Sequence, residues 1–95
     1  MITILSFRLV PGADEAAFLA ADKRVQGEFA YHQPGLMRRT TARAPEGEWV
    51  IVDLWRSAED ADRCDAVWGQ DLVTADFMTF VDAPTVRSSR YFELD

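Results

Sequence analysis

The sequence contains no asparagine, one cysteine, one histidine and one lysine among its 95 residues. A single cysteine excludes an intrachain disulfide, and one cysteine with one histidine cannot supply the four ligands of a structural zinc site. No apolar run approaches the roughly 20 residues needed to cross a bilayer as a helix. The opening Met1-Ile2-Thr3-Ile4 lacks the basic region and small-residue cleavage site of a secretory signal, so a cytoplasmic location is expected. There is no G-x-S-x-G, P-loop, G-x-G-x-x-G or C-x-x-C. Flavin, nicotinamide and metal therefore have no support, and no cofactor is expected. Positive charge is also scarce: 10 basic against 16 acidic residues leave a net −6, which argues against nucleic acid or an anionic membrane as partner. Nine of the ten cations are arginine, suited to fixed, planar hydrogen bonding.

What the chain does contain is ordered around Trp49 to Trp55, seven residues nearly all β-branched or aromatic. They read as a strand. Alternation puts Trp49, Ile51, Asp53 and Trp55 on one face and Val50, Val52 and Leu54 on the other. Both faces are mostly apolar, yet a small two-layer domain covers only one face of its sheet. A second copy of the chain is the simplest cover for the other, so a homodimer is expected. Ser57 and Asp60 form a variant capping box that starts a helix directly after this strand.

The remaining elements follow in order. Ile2 to Val10 is strand one, ended by Pro11-Gly12. A helix is predicted from Asp14 to Tyr31, with Phe18, Ala21, Val25, Phe29 and His32 on its inward face. Leu36 to Arg43 is the most polar strand and reads as an edge. It has Met37, Arg39, Thr41 and Arg43 on one side and Leu36, Arg38, Thr40 and Ala42 on the other. A second helix runs from Ser57 to about Ala66, is interrupted at Trp68-Gly69, and continues as a helical piece over Leu72 to Val81. Thr85 to Leu94 is the last strand. The order β-α-β-β-α-β makes residues 1–95 one α+β domain, the ferredoxin-like split βαβ with a four-stranded antiparallel sheet. Strands one and three are expected at its centre and strands two and four at its edges.

Three stretches carry a family resemblance. They are the strand with Pro-Gly from Ile4 to Gly12 leading into an acidic helix start, Gln33-Pro34-Gly35-Leu36, and Trp55-Arg56-Ser57 followed by Ala61. In order and spacing the chain resembles the antibiotic biosynthesis monooxygenase-like members of the dimeric α/β barrel superfamily. The resemblance implies a homodimer with its sheets face to face and a ligand cavity between each sheet and its own helices. It also implies a cofactor-independent oxygenase acting on an electron-rich aromatic, quinol or polyketide-like substrate. Family members often carry a histidine where this chain has Cys64. Haem-degrading relatives use an Asn-Trp-His set, which a chain without asparagine cannot supply.

The candidate site residues follow from chemistry. His32 alone has an ordinary pKa near neutrality, as a general base for a phenolic proton requires. A helix-end histidine satisfied by a carbonyl or water is the plainer reading. Asp53 is the second candidate base, if burial raises its pKa. Its plainer reading is an ion pair with Arg8, Arg38 or Arg90. Trp55, Trp68 and Phe29 can form an aromatic wall for a small aromatic molecule, or simply be core. Arg8, Arg38, Arg87 and Arg90 are the cations available to a phenolate, Arg90 first among them. Cys64 faces inward and is expected to be inert. Two readings stay open: a cofactor-independent monooxygenase, or a related isomerase or cyclase, and a non-catalytic dimeric binding or accessory protein.

Overall fold

The computed structural model describes residues 1–95. Its strands are β1 (Ile2–Phe7), β2 (Leu36–Arg43), β3 (Trp49–Trp55) and β4 (Arg87–Tyr91), and its helices are α1 (Glu15–Glu28), α2 (Ala58–Val67) and α3 (Leu72–Met78). They form a four-stranded sheet in the order β2-β3-β1-β4, antiparallel throughout. The central pair β1 and β3 and the polar edge β2 stand where alternation and polarity placed them.

One face of the sheet carries the helices. Trp49, Ile51 and Trp55 are buried on it, together with Phe7, which pairs across from Trp49. Against them α1 lays Phe18, Ala21 and Val25, and α3 adds Phe77. The aromatic rings close this end into a solid core: Phe18 lies 4.8 Å from Trp49 and 5.3 Å from Phe77, ring centre to ring centre. The first pair is edge-to-face and the second tilted, and rings in contact at such distances add to their burial.

Caps fix the helix starts. Asp14 accepts the backbone N–H groups of Ala16 and Ala17. Ser57 Oγ accepts the N–H of Asp60 and donates its own proton to Asp60 Oδ2, at 3.2 and 3.0 Å. The capping box thus closes through the serine hydroxyl rather than through the serine backbone N–H.

Three sequence expectations need correction. Helix α1 stops at Glu28 rather than Tyr31. Phe29 has left helical geometry, and Ala30–His32 form a 3-10 turn ahead of Pro34. That break turns Ala30 inward and leaves Tyr31 and His32 exposed, so His32 does not share the inward face. In β2, a bulge between Leu36 and Arg38 sets Leu36 opposite Trp55 and Arg39 opposite Asp53. The extra residue puts Leu36 and Arg39 on the same helix-facing side, while Met37 is exposed. The first and last strands are also shorter than predicted, β1 ending at Phe7 and β4 at Tyr91.

Gly35 shows why the Pro34-Gly35 turn has its sequence. Its φ is +82°, and an added Cβ would fall inside the carboxyl group of Asp60. Its carbonyl accepts the N–H of Arg56 at 2.8 Å, so this turn is pinned against the start of α2. Gly35→Ala combines a left-handed backbone with a collision, and should cost about 1–3 kcal/mol. Urea unfolding measures it; a variant as stable as the parent would show that the turn tolerates a side chain.

Candidate functional site

The other end of the sandwich is hollow. A cavity of about 160 Å³ lies between the sheet and the helices. Phe29, Trp55 and Trp68 form its aromatic wall, and Leu5, Leu36 and Ile51 are among the other apolar residues that line it. The polar groups reaching it include Thr3, Arg39, Asp53 and Arg90.

Both tryptophans of the wall are held by neighbouring groups. Trp68 sits in the 3-10 turn Trp68–Gln70 between α2 and α3. The Thr74 hydroxyl, fully buried, is hydrogen-bonded to the Trp68 carbonyl and to that of Asp71. The Trp68 ring stands edge-to-face on Phe29 at 5.5 Å and on Phe77 at 5.9 Å, separating the solid core from the cavity. Trp55 Nε1–H donates to Thr3 Oγ1 at 3.2 Å, which fixes the indole plane and leaves its face to the cavity.

Asp53 is the unusual group. Its Oδ1 is shut off from solvent and has no hydrogen-bond partner, although buried acceptors are nearly always satisfied. Burial pushes its carboxyl up to about 6 from an ordinary 3.8; Arg39 across the strand pulls the other way, and Asp22 and Asp65 add to the rise. None of Arg8, Arg38 and Arg90 pairs with it. Arg8 reaches the Glu46 carbonyl, Arg38 is exposed, and Arg90 is bound to Asp62 at 2.8 Å and Asp65 at 3.1 Å on α2.

Arg39 is the residue that the sequence reading passed over. Its guanidinium donates to Asp22 Oδ1 at 2.7 Å, with Gln26 and Thr41 accepting at 3.4 Å, and only 2% of its side chain is exposed. Its backbone N–H donates to the Tyr31 hydroxyl at 3.0 Å. Asp22, also missed, lies one residue from Ala21 and four from Phe18, so helical spacing already placed it beside the buried stripe. Arg39 was harder to find, because its position opposite Asp53 depends on the bulge.

The structure therefore brings Phe29, Asp53, Trp55, Trp68 and Arg90 to one cavity and leaves His32 outside it. Cys64 lines the cavity too. Burial, with the charges of Asp65 and Asp53, pushes its thiol up to about 11, so it is protonated and unreactive at neutral pH. No group of histidine, cysteine and carboxylate side chains is arranged to hold a metal ion, and no helix is long and apolar enough to cross a membrane.

No family model matches the sequence, and no curated protein does. Solved structures do match. The chain is similar to SnoaB, a cofactor-independent oxygenase from Streptomyces nogalater, at 21% identity and a TM-score of 0.77 over 99% of this chain and 93% of that one. It is similar to a dimeric ferredoxin-like protein from an uncultured marine organism, at 16% identity and 0.68 over 97% and 90%. A structure of an antibiotic biosynthesis monooxygenase matches at 13% identity and 0.69 over 98% and 100%. At these identities the likeness is one of architecture, and the chain has the ferredoxin-like fold of the antibiotic biosynthesis monooxygenase structures.

Proposed function

We propose that the protein is a small, cofactor-independent monooxygenase-like enzyme that oxidises an electron-rich aromatic in the cavity, with Asp53 as general base. One observation carries the reading: an unpartnered carboxylate oxygen, buried at the wall of a mostly apolar cavity between two tryptophans. A buried acceptor without a donor is costly, so the Asp53 carboxyl group, which lines the cavity, favours a ligand that brings a hydroxyl donor. With a pKa of about 6, the carboxylate is ionised at neutral pH yet basic enough to share or take that proton.

The chemistry then needs only the substrate and dioxygen. Asp53 takes the phenolic proton, and the electron-rich ring gives electrons to O₂. A carbon–oxygen bond forms at a ring carbon that carries hydrogen, giving a hydroperoxide. Loss of that carbon's hydrogen with cleavage of the O–O bond releases water and leaves a quinone. The ring loses two hydrogens and gains one oxygen atom; the second oxygen leaves as water, so no external reductant is consumed. The dry apolar wall keeps the anion from being reprotonated by bulk water. Arg39, held by Asp22, adds fixed positive charge across the strand from the base.

The same reading includes a homodimer. Support comes from the outer sheet face, where Ile4, Val50, Val52 and Leu54 are only partly covered within one chain, and from Tyr91 and Phe92, which are 55% and 67% exposed. Two such faces together form a symmetric apolar contact. Light scattering at micromolar concentration should give about twice the chain mass, and a stable monomer would contradict the assembly.

Oxygen uptake with a panel of hydroquinones and other phenols tests the activity. Asp53→Asn should lower turnover by roughly 10²–10⁴-fold, and parent kcat/KM should rise with pH through about 6. His32→Ala should stay within a few-fold of the parent. Parent-like uptake by the Asp53 variant would remove the base.

Stability should move the opposite way. The folded-state pKa of Asp53 lies above its ordinary value, so the folded state holds this proton more tightly. The associated stability is full below about pH 3.8 and is lost as pH rises through about 6. Asp53→Asn should therefore gain on the order of 2–3 kcal/mol over the parent at pH 8 and little at pH 4. Denaturant unfolding at both pH values checks this, and a variant destabilised at pH 8 would show that the charge is well accommodated.

A further inference from the structure

We propose that Thr3 is a further catalytic residue: its hydroxyl donates a hydrogen bond to the ligand oxygen that gives up its proton to Asp53, and steadies the anion left behind. The inference rests on the reading of Asp53 as base and adds the group that meets the developing charge.

Thr3 lies on the central strand β1 and pairs directly with Asp53 of β3. Side chains of directly paired residues leave the sheet on one face, their Cβ atoms about 4.5–5.5 Å apart. Both residues line the cavity. One ligand oxygen seated over the pair can give its proton to the carboxyl group and accept a hydrogen bond from the hydroxyl.

The Thr3 hydroxyl is prepared for that role. Its oxygen accepts from Trp55 Nε1–H at 3.2 Å, and no acceptor in the chain takes its own proton. Thr74, Thr79 and Thr85 differ, each donating to the backbone carbonyl three residues earlier. With one lone pair taken by the indole, the proton of Thr3 is free for a bound oxygen.

The other donors at the cavity are engaged elsewhere. Arg39 is committed to Asp22, Gln26 and Thr41. Arg90 holds Asp62 and Asp65 on the exposed side of the cavity, where solvent weakens its charge. Ser88 is exposed and pairs with Leu5 rather than with Thr3, so water serves it. Thr3 is the lining donor that both adjoins the base in register and keeps its proton uncommitted.

The proton balance involves one transfer. The ligand proton moves to Asp53, and Thr3 keeps its own. A hydrogen bond to an ionised acceptor is roughly twice as strong as one between neutral groups. The Thr3 bond therefore strengthens as the oxygen becomes anionic, and only an interaction that grows in this way lowers the barrier.

A coloured anion reads this step without any oxygen chemistry. 4-Nitrophenol bound to an excess of the full chain is titrated with pH and followed by absorbance. Thr3→Val keeps the branched shape and removes the hydroxyl. It should raise the midpoint for anion formation by about one pH unit, and Thr3→Ser should restore the parent value. An unshifted midpoint in Thr3→Val would overturn the proposal, as would failure of the parent to bind the probe. A role confined to orienting Trp55 is separated by Trp55→Phe, which removes the indole N–H. The midpoint should still rise from Trp55→Phe to the double variant Trp55→Phe/Thr3→Val, and equal midpoints would overturn the proposal. This second comparison also serves if Thr3→Val alone does not fold, because neither protein in it leaves an indole N–H stranded. Oxygen uptake with hydroquinone is followed on the same proteins. A shifted midpoint without uptake by the parent sinks the oxidation and leaves the proton transfer and its donor standing. Uptake by the parent with an unshifted midpoint removes Thr3 alone.

Discussion

The buried ion pair between Asp22 and Arg39 governs the rest of the site. It ties α1 to the edge strand β2 at the end of the domain where the core is hollow. Removing either partner strands the other charge, a loss of about 3–5 kcal/mol in comparable buried pairs. Its consequence for chemistry is indirect. Arg39 stands opposite Asp53 in the sheet and, left free, would form the obvious salt bridge with it. Asp22, Gln26 and Thr41 take up the guanidinium instead. Asp53 therefore keeps an open acceptor and a carboxyl shifted toward neutrality, while Arg39 remains near enough to limit that shift.

Rigidity at one end makes the cavity at the other. Phe7, Phe18, Trp49 and Phe77 interlock, three of their pairs edge to face and Phe18–Phe77 tilted, giving the small domain a firm core from few residues. Past Trp68 the large side chains run out: α2 offers Ala61 and Cys64 where bulk would be needed to fill the space. Small residues on one helix, opposite a strand that ends in Asp53 and Trp55, leave room for a ring. The cost is a strained balance, because a charged carboxylate in that room opposes folding at neutral pH. Such a cost at one wall of a cavity is typical of functional sites.

Much of the fold was legible because alternation and helical spacing report burial directly. The two faces of Trp49–Trp55, the polar edge at β2 and the break at Trp68-Gly69 all appear in the structure as the pattern indicates. The co-location of Asp53 and Trp55 followed from the same alternation. Elements decided by backbone geometry were less legible. His32 stays in register with Phe29 only if the helix continues, and the helix ends at Glu28. Arg39 comes opposite Asp53 only through a bulge at Met37, which residue types alone do not announce. Arg90 does reach the cavity, but its pairing with Asp62 and Asp65 depends on how α2 crosses β4.

The central claim is that Asp53 is a desolvated carboxylate kept without a partner at the cavity wall. Carbon-13 NMR of the side-chain carboxyl groups measures this directly when the protein is titrated with acid and the Asp53 signal is assigned by its loss in Asp53→Asn. The account predicts a midpoint near 6, and a change in that midpoint when a phenol occupies the cavity. A midpoint at or below the ordinary value of 3.8, unchanged by phenol, would mean that Asp53 is solvated or paired in solution and would contradict the account.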